Sequence, residues 1–180
     1  PAECNSASDE QPPGRIAHIF PMPNQYTIRQ ATQAEQPAIK ALIRAAGINP
    51  LGLHWSRFLV AVDSSQTVIG CGQVKAHRDG SRELASVAVA REWRRMGIAG
   101  QIIQALQREH GPPLWLTCME RLAPFYRPYG FDRVETYQDM PPYFRCASRF
   151  FNLYLALSRG KGKLAVMVWP GSEVDQPTSS

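Results

Sequence analysis

The stretch Ser86–Gly100 constrains the fold most, because it brings a strand, a tight loop and the start of a helix together. Val87 and Val89 alternate with small residues, which is typical of a buried strand. After the loop, apolar residues recur at helical spacing at Ile98, Ile102 and Leu106. The stretch therefore predicts a strand–loop–helix unit within a mixed α/β domain.

The loop of this unit suits a phosphate group. It reads Arg94-x-x-Gly97-x-Ala99, with no bulky or acidic side chain at the glycine or the alanine. The first N–H groups of a helix are unpaired and carry partial positive charge, so a loop without large side chains lets a phosphate approach them. Arg94 and Arg95 add donors suited to phosphate. The loop predicts a pyrophosphate cradle, and a strand-to-helix turn with a solvated basic flank is the alternative.

A second motif lies downstream, where Phe125–Phe131 has the form FYxxxGF. Together with the strand–RxxGxA–helix unit, it resembles the GCN5-related N-acetyltransferase (GNAT) superfamily. The resemblance implies that the loop at Arg94 binds acetyl-coenzyme A and that Tyr126 is the catalytic tyrosine. It covers roughly Tyr26–Trp169 and leaves both ends of the chain outside.

The fold that the resemblance implies is a mixed, mostly antiparallel sheet of six to seven strands. Its helices lie on both faces, and the sheet splits in a V between the fourth and fifth strands. The domain is expected at residues 26–170, between flexible tails at 1–25 and 171–180. Strand patterns occur at Tyr26–Gln30, Phe58–Val62, Thr67–Ala76, Arg82–Ala90, Leu114–Cys118, Phe131–Thr136 and Leu164–Trp169.

Helix signals separate these strands. Thr32 and Glu35 form a capping box before an apolar face at Ile39 and Ile43. The helix after the phosphate loop should end near Gly111, which precedes two prolines. Another helix is expected at Glu120–Tyr126.

The segment at about 140–163 departs from the minimal pattern, because it places an extra helix between the last two strands. Its Pro-Pro-Tyr-Phe-Arg opening and the strand that follows are similar to acetyltransferases of cyanobacteria and plant plastids. Family analogy puts this helix near the acceptor side of the sheet. It could pack as core, wall the acceptor cleft, or dock on a partner or an anionic membrane. We expect the Tyr143 hydroxyl near the incoming amine, with Trp55 opposite.

Composition narrows the functional classes only in part. The formal charge of +5 comes mostly from arginine, which suits coenzyme A but also nucleic acid or an anionic membrane. Four scattered cysteines without C-x-x-C spacing indicate reduced thiols and no metal site. With no apolar run of membrane-spanning length and no leader pattern, we expect a soluble protein of the bacterial cytosol, monomeric or homodimeric.

Acetyl transfer from a thioester to an amine needs an unprotonated amine, a stabilised oxyanion and a proton for the departing thiolate. Glu83 lies six residues before Val89, where histone-type family members carry their general base, and pairing with an arginine is the alternative. Tyr126 is the expected general acid, with aromatic packing as the alternative. His54 and His77 are expected to be solvated or capping residues.

The resemblance also implies the residues that contact acetyl-coenzyme A. The backbone of a bulged strand would supply N–H groups to the acetyl carbonyl and the pantetheine arm. Glu120 stands where many family members have asparagine, so a contact there must differ, because a carboxylate accepts but does not donate. The expected set is Val87, Ala88, Val89, Arg94, Arg95, Met96, Gly97, Ile98, Ala99, Gly100, Glu120 and Ala123.

The resulting expectation is an N-acetyltransferase acting on protein lysine or N-terminal amines. A small arylalkylamine acceptor is the alternative within the same class. A module that senses acetyl-coenzyme A without catalysis is an alternative from another class. A nucleic-acid binder is less well supported, because the sequence has no recognisable nucleic-acid motif.

Overall fold

The computed structural model describes residues 26–157 and 163–171. The tails predicted at 1–25 and beyond residue 171 lie outside these ranges. Seven strands form one sheet in the order β1-β2-β3-β4-β5-β7-β6. The strands are β1 Tyr26–Gln30, β2 Phe58–Asp63, β3 Val68–Ala76, β4 Arg82–Val89, β5 Leu114–Met119, β6 Asp132–Arg133 and β7 Leu164–Trp169.

The sheet is antiparallel except where β4 meets β5, and there the two strands pair in parallel only at Glu83 and Trp115. From that point β4 and β5 separate, while β5 pairs with β7 along its whole length, from Leu114–Trp169 to Met119–Leu164. The predicted V-shaped split between the fourth and fifth strands is therefore confirmed. It leaves the end of β4 without a strand partner on that side, within the described chain.

β4 contains a β-bulge in the part that has separated from β5. On β3, Cys71 pairs with Ala88 and Gln73 with Ala85, so β4 carries one extra residue between these pairs. Ser86 lies in this bulge with φ of 57°, in the left-handed region that a serine seldom adopts. The Gln73 amide donates a 3.0 Å hydrogen bond to the Ser86 hydroxyl, which helps to hold this conformation.

One face of the sheet is covered by α2, Ile98–His110. Ile102 and Leu106 pack in one buried cluster with Leu84 and Leu116 of the sheet. The helix comes so close to β3 that a Cβ atom at Gly72 would lie 2.7 Å from the Ile102 side chain. The glycine therefore permits this contact.

The other face is covered by α1, Gln36–Ala45, and α4, Pro142–Leu157, so helices lie on both faces as predicted. Ile39 and Ile43 of α1 pack with Phe58 of β2. Phe144 of α4, fully buried, packs with Met140 and with Val166 of β7. The extra helix thus lies between β6 and β7 in the chain, and its first turns are anchored by Phe144.

Two predicted elements differ in extent. The strand predicted at Phe131–Thr136 is only Asp132–Arg133, because after Val134 bonds to Val166 the chain leaves the sheet for a 3₁₀ turn at Tyr137–Asp139. The helix predicted at Glu120–Tyr126 is a 3₁₀ turn followed by α3, Ala123–Tyr126. No helix within the described ranges is long and apolar enough to cross a membrane.

Candidate functional site

A groove of about 330 Å³ opens where β4 leaves β5. The end of β4, the N-terminus of α2 and the helix α3 form its walls. It brings together most of the residues predicted to contact the cofactor, together with the predicted general acid, Tyr126. Its lining is Val87, Ala88, Val89, Trp93, Arg94, Arg95, Gly97, Ile98, Ala99, Gly100, Leu122, Phe125, Tyr126 and Tyr129.

The N-terminus of α2 presents free backbone donors to this groove. Gly97 caps the helix with φ of 77°, and the first helical hydrogen bond runs from the Gln101 N–H to the Gly97 carbonyl, at 3.1 Å. The N–H groups of Ile98, Ala99 and Gly100 therefore have no carbonyl one turn earlier. A Cβ at Gly97 would meet no atom within 4 Å, so the space in front of these donors is open.

Two arginines flank the same helix end. Arg94 donates from Nε to the Val89 carbonyl at 3.1 Å, which ties the loop to the end of β4. Among the described residues, neither Arg94 nor Arg95 has an acidic partner within 4 Å. Their remaining donors and the helix N-terminus form a positively charged site that fits a pyrophosphate.

Tyr126 lies at the end of α3, where its ring packs edge-on against Phe125 and Phe131. Burial, with a smaller contribution from nearby Cys118, raises the pKa of Tyr126 to about 12. The hydroxyl is therefore protonated at physiological pH. It can donate a proton within the groove, as a general acid must.

Tyr129 lines the groove although sequence reasoning did not select it. A Cβ at Gly100 would lie 2.2 Å from the Tyr129 hydroxyl, so this phenol sits directly on the first turn of α2. The Tyr129 carbonyl accepts a 2.8 Å bond from Gln107. Leu122, Phe125 and Tyr129 recur at helical spacing in the sequence, and this periodicity was the available signal.

Glu83 lies on the face opposite α2, because its neighbour Leu84 packs under that helix and side chains alternate along a strand. It is 8% exposed. Thr117 of β5 donates to its Oε1 at 3.2 Å, and His77 Nε2 lies 3.0 Å from its Oε2. His77, predicted to be solvated or capping, is instead the direct partner of Glu83.

Tyr143, at the start of α4, covers this pair. Its ring stacks on His77 with centroids 3.4 Å apart, and its backbone N–H donates to Asp79 Oδ2 at 2.7 Å. Burial, followed by the charge of nearby Glu83, raises the pKa of Tyr143. Hydrogen bonds from Ser81 and from Tyr143 lower the pKa of Asp79 to about 2. The hairpin between β3 and β4 thus clamps the first turn of α4 beside Glu83.

The remaining predicted site residues lie elsewhere. Trp55 packs against the α1 cluster and stacks on His54 at 5.8 Å. Met96 packs against the core under α2, and Ala123 is buried. The Glu120 carboxylate forms an ion pair with Arg133, outside the groove lining.

Cysteine and acidic side chains are spread out in this fold. In residues 26–157 and 163–171, no group of three or more His, Cys, Asp or Glu side chains is placed to hold a metal ion. Cys71 and Cys118 are buried free thiols, and Cys146 is exposed. Burial raises the pKa of Cys71 to about 12 and that of Cys118 to about 11, so both are inert thiols at neutral pH.

Comparison with known proteins agrees with this geometry. Residues 54–133 match the family model described as an acetyltransferase (GNAT) domain. A comparison of the sequence with curated proteins gives no match. Three solved structures have the same fold.

The structure is similar to N-acetylglutamate synthase from Neisseria gonorrhoeae complexed with coenzyme A and L-arginine, with TM-score 0.62 and 18% identity. That match covers 83% of this chain and 34% of the synthase, so this chain spans about a third of its length. Rv2747 from Mycobacterium tuberculosis, in complex with CoA and NLQ, gives TM-score 0.62 and 21% identity over 80% of this chain and 98% of that one.

The third is the ribosomal-protein-S18-alanine N-acetyltransferase from Escherichia coli, with TM-score 0.55 and 15% identity over 86% of this chain and 99% of that one. This chain shares its overall fold with these three solved structures. Its split sheet, bulged β4 and groove at α2 occur within that fold. Residues 54–133 thus match an acetyltransferase (GNAT) domain model, and the described chain has the fold of these solved structures.

Proposed function

We propose that this protein transfers an acetyl group from acetyl-coenzyme A directly to a primary amine, with Tyr126 as general acid and Glu83 as general base. The observation that carries the proposal is the groove itself. Within the described chain, it unites the end of β4, which has no strand partner on the β5 side, with the open N-terminus of α2 and a protonated tyrosine. Neighbours of the same fold in complex with coenzyme A support this cosubstrate.

The residues present fit acetyl-coenzyme A, which when bound supplies a thioester to be attacked and a thiolate to be released. The N–H groups of Ile98, Ala99 and Gly100, with Arg94 and Arg95, would hold the pyrophosphate. The open space in front of Gly97 admits it. On the side facing away from β3, the backbone of Val87, Ala88 and Val89 would bind the pantetheine arm and the acetyl carbonyl.

Glu83 would accept a proton from the amine, directly or through a water molecule. A lysine with pKa near 10.4 is unprotonated only about one part in a thousand at pH 7, whereas an α-amine is about one-tenth unprotonated. A base therefore matters most for lysine. Thr117 and His77 hold both oxygens of the Glu83 carboxylate, which fixes the orientation of the proposed base.

Tyr126 would then protonate the departing thiolate. Its raised pKa keeps the proton on the hydroxyl throughout the physiological pH range, so the acid form is present when the thiolate departs.

The acceptor that we propose is a protein lysine or N-terminal amine, with Tyr143 and Trp55 beside the acceptor path. The name of the Escherichia coli neighbour specifies a ribosomal-protein alanine, which supports an N-terminal amine. An arylalkylamine is the competing acceptor. The narrower resemblance to cyanobacterial and plastid enzymes, the bacterial cytosol, and a monomer or homodimer stay predictions.

A panel of acceptors tests this proposal. Purified protein is incubated with isotopically labelled acetyl-coenzyme A and one of three amines. The first is a lysine-free peptide with a free N-terminus, the second is the same peptide with a blocked N-terminus and an added lysine, and the third is serotonin. Mass spectrometry should find the label on at least one peptide amine. Label on serotonin alone would contradict the protein acceptor, and label on none would contradict the transfer.

A further inference from the structure

His77 and Glu83 form a buried carboxylate–imidazole pair that the transfer reaction described above leaves partly unexplained. Nε2 of His77 lies 3.0 Å from Oε2 of Glu83, and the two side chains are 13% and 10% exposed. The ring is held in one plane, because Tyr143 stacks on one face at 3.4 Å and Phe144 contacts it edge-on at 5.9 Å. Such a fixed ring is positioned for chemistry as well as for packing.

The proposed reaction requires that Glu83 lose a proton after each turnover, and this pair provides a route for it. Each turnover delivers one proton from the attacking amine to Glu83, and the carboxylate must lose it before the next turnover. Glu83 is almost fully buried, and Thr117 holds its other oxygen. Of the side chains that face this carboxylate, Thr117, His77 and Tyr143, only the imidazole can hold an extra proton as a cation and pass one on.

We propose that His77 is a positioning and proton-relay residue that carries the amine's proton from Glu83 to solvent. The amine nitrogen forms its bond to the acetyl carbon and loses a proton to the Glu83 carboxylate. The resulting carboxylic acid passes a proton to Nε2 of His77, and the imidazolium releases its Nδ1 proton to water. This inference rests on the proposed function, since it needs Glu83 as the base.

The His77 side chain is 13% exposed and lies where the hairpin turn begins after β3, so part of the ring reaches solvent. The titratable groups around it are Glu83 on β4, Asp79 in the turn and Tyr143 on α4, with Lys75 on β3 opposite Glu83. Two of these, Glu83 and Asp79, are acidic and stabilise the imidazolium that the relay needs. The competing explanation is that His77 only holds the hairpin to α4.

The test compares two substitutions in steady-state acetylation assays. His77→Gln keeps a polar group that can bond to Glu83 but cannot relay a proton, whereas His77→Ala leaves a cavity that free imidazole can enter. His110→Gln, at the far end of α2, is the matched control. We expect both His77 variants to lose about 10-fold or more in kcat, with the acetyl-coenzyme A KM unchanged.

Added imidazole should restore kcat in His77→Ala and leave His77→Gln slow. The profile of kcat against pH should change shape in His77→Gln, because glutamine cannot take up a proton. Wild-type kcat and pH profile in His77→Gln, or a loss in His77→Ala that imidazole leaves unchanged, would overturn the relay. If the wild-type protein releases no thiol with any amine, the proposed function fails and the relay fails with it.

Discussion

At the scale of single residues, Gly97 combines a left-handed backbone conformation with a position at the proposed phosphate site. Its φ of 77° is a conformation that L residues adopt at a cost, and the space where a side chain would project is open. Glycine is thus required by the turn, and the absence of a side chain keeps the α2 amides accessible. Substitutions at Gly97 separate the effect of backbone conformation from that of charge, and a substitution at Tyr126 separates side-chain packing from proton transfer.

Gly97→Asp should weaken acetyl-coenzyme A binding far more than Gly97→Asn. Both substitutions carry the same left-handed backbone, which Asn and Asp tolerate best among non-glycine residues, at a cost of about 1 kcal/mol. Only aspartate adds a negative charge where the pyrophosphate would lie. Calorimetry should give an affinity at least about 10-fold weaker for the Asp variant. Equal affinities in two folded variants would remove the cradle assignment.

Tyr126→Phe should lower kcat by about 10² to 10⁴, the usual range for loss of a general acid, without changing acetyl-coenzyme A affinity. Because the pKa of Tyr126 is raised to about 12, its proton is retained through the assay range, so this hydroxyl should cause no loss of wild-type rate below that pH. Tyr137→Phe, at an exposed tyrosine outside the groove, is the control. An undiminished kcat in Tyr126→Phe would leave the tyrosine with a packing role only.

At the scale of elements, the hairpin between β3 and β4 and the first turn of α4 act as one unit. Asp79 bonds to the Tyr143 N–H, and His77 stacks on the Tyr143 ring. This contact joins residues 64 positions apart in the chain. It places the extra helix beside Glu83, on the face opposite the groove-lining helix α2.

Tyr143→Ala should raise the KM for the acceptor amine and leave the KM for acetyl-coenzyme A unchanged, because the ring lies beside Glu83 and away from the groove. Tyr143→Phe keeps the stacked ring, so its acceptor KM should stay near the wild-type value if stacking is what matters. Initial rates with each substrate varied in turn give both constants. Equal effects on both substrates, or loss of folding, would favour core packing for α4.

The start of α1 offers a stability test. Arg29 donates two hydrogen bonds to Glu35, whose carboxylate also accepts from Thr32, and these bonds lower the pKa of Glu35 from 4.5 to about 2. A lowered carboxyl pKa stabilises the fold above pH 4.5, and this contribution is lost as the pH falls towards 2.

Glu35→Gln should therefore reduce the free energy of unfolding by about 1 kcal/mol at neutral pH. The difference from wild type should shrink near pH 2, since the wild-type carboxyl is then losing its charge as well. Urea unfolding at both pH values measures it, with exposed Glu92→Gln as control. A difference that does not depend on pH would show that the Arg29–Glu35 ion pair contributes nothing.

Local patterns predicted the elements well where neighbours in sequence decide the structure. The strands at Tyr26–Gln30 and Leu164–Trp169 have the predicted bounds, and α2 ends before Gly111. The β6 strand was predicted too long, since its pairing depends on a β7 edge that arrives thirty residues later in the chain. His77 was misjudged for the same reason: its partners Glu83 and Tyr143 are set by tertiary structure.

At the scale of the whole molecule, the split sheet places the groove and Glu83 on different sides. The groove that we propose for the acetyl donor is bounded by α2 and α3, and Glu83 with its partners lies on the face covered by α1 and α4. Donor and acceptor would thus meet at the opening between β4 and β5 from opposite sides. This geometry explains why a V-shaped split is useful to a transfer enzyme.

The charge of +5 is also a property of the whole chain. Arg94 and Arg95 line the groove without an acidic partner in the described part of the chain, and they would draw a polyanionic ligand towards it. A nucleic-acid binder with the same charge would lose affinity steeply with salt and would be indifferent to coenzyme A. Competition between the two ligands distinguishes these uses of one charged surface.

The most direct test of the account is a product balance for acetyl transfer. Wild-type protein and the Gly97→Asp variant are each mixed with acetyl-coenzyme A and a peptide bearing a free N-terminal amine and a lysine. Free thiol and acetylated peptide are then counted together. We expect equal amounts of free thiol and acetylated peptide with wild type, and neither product with the Gly97→Asp variant. Wild-type protein that binds acetyl-coenzyme A but yields neither product would contradict it and favour a non-catalytic sensor.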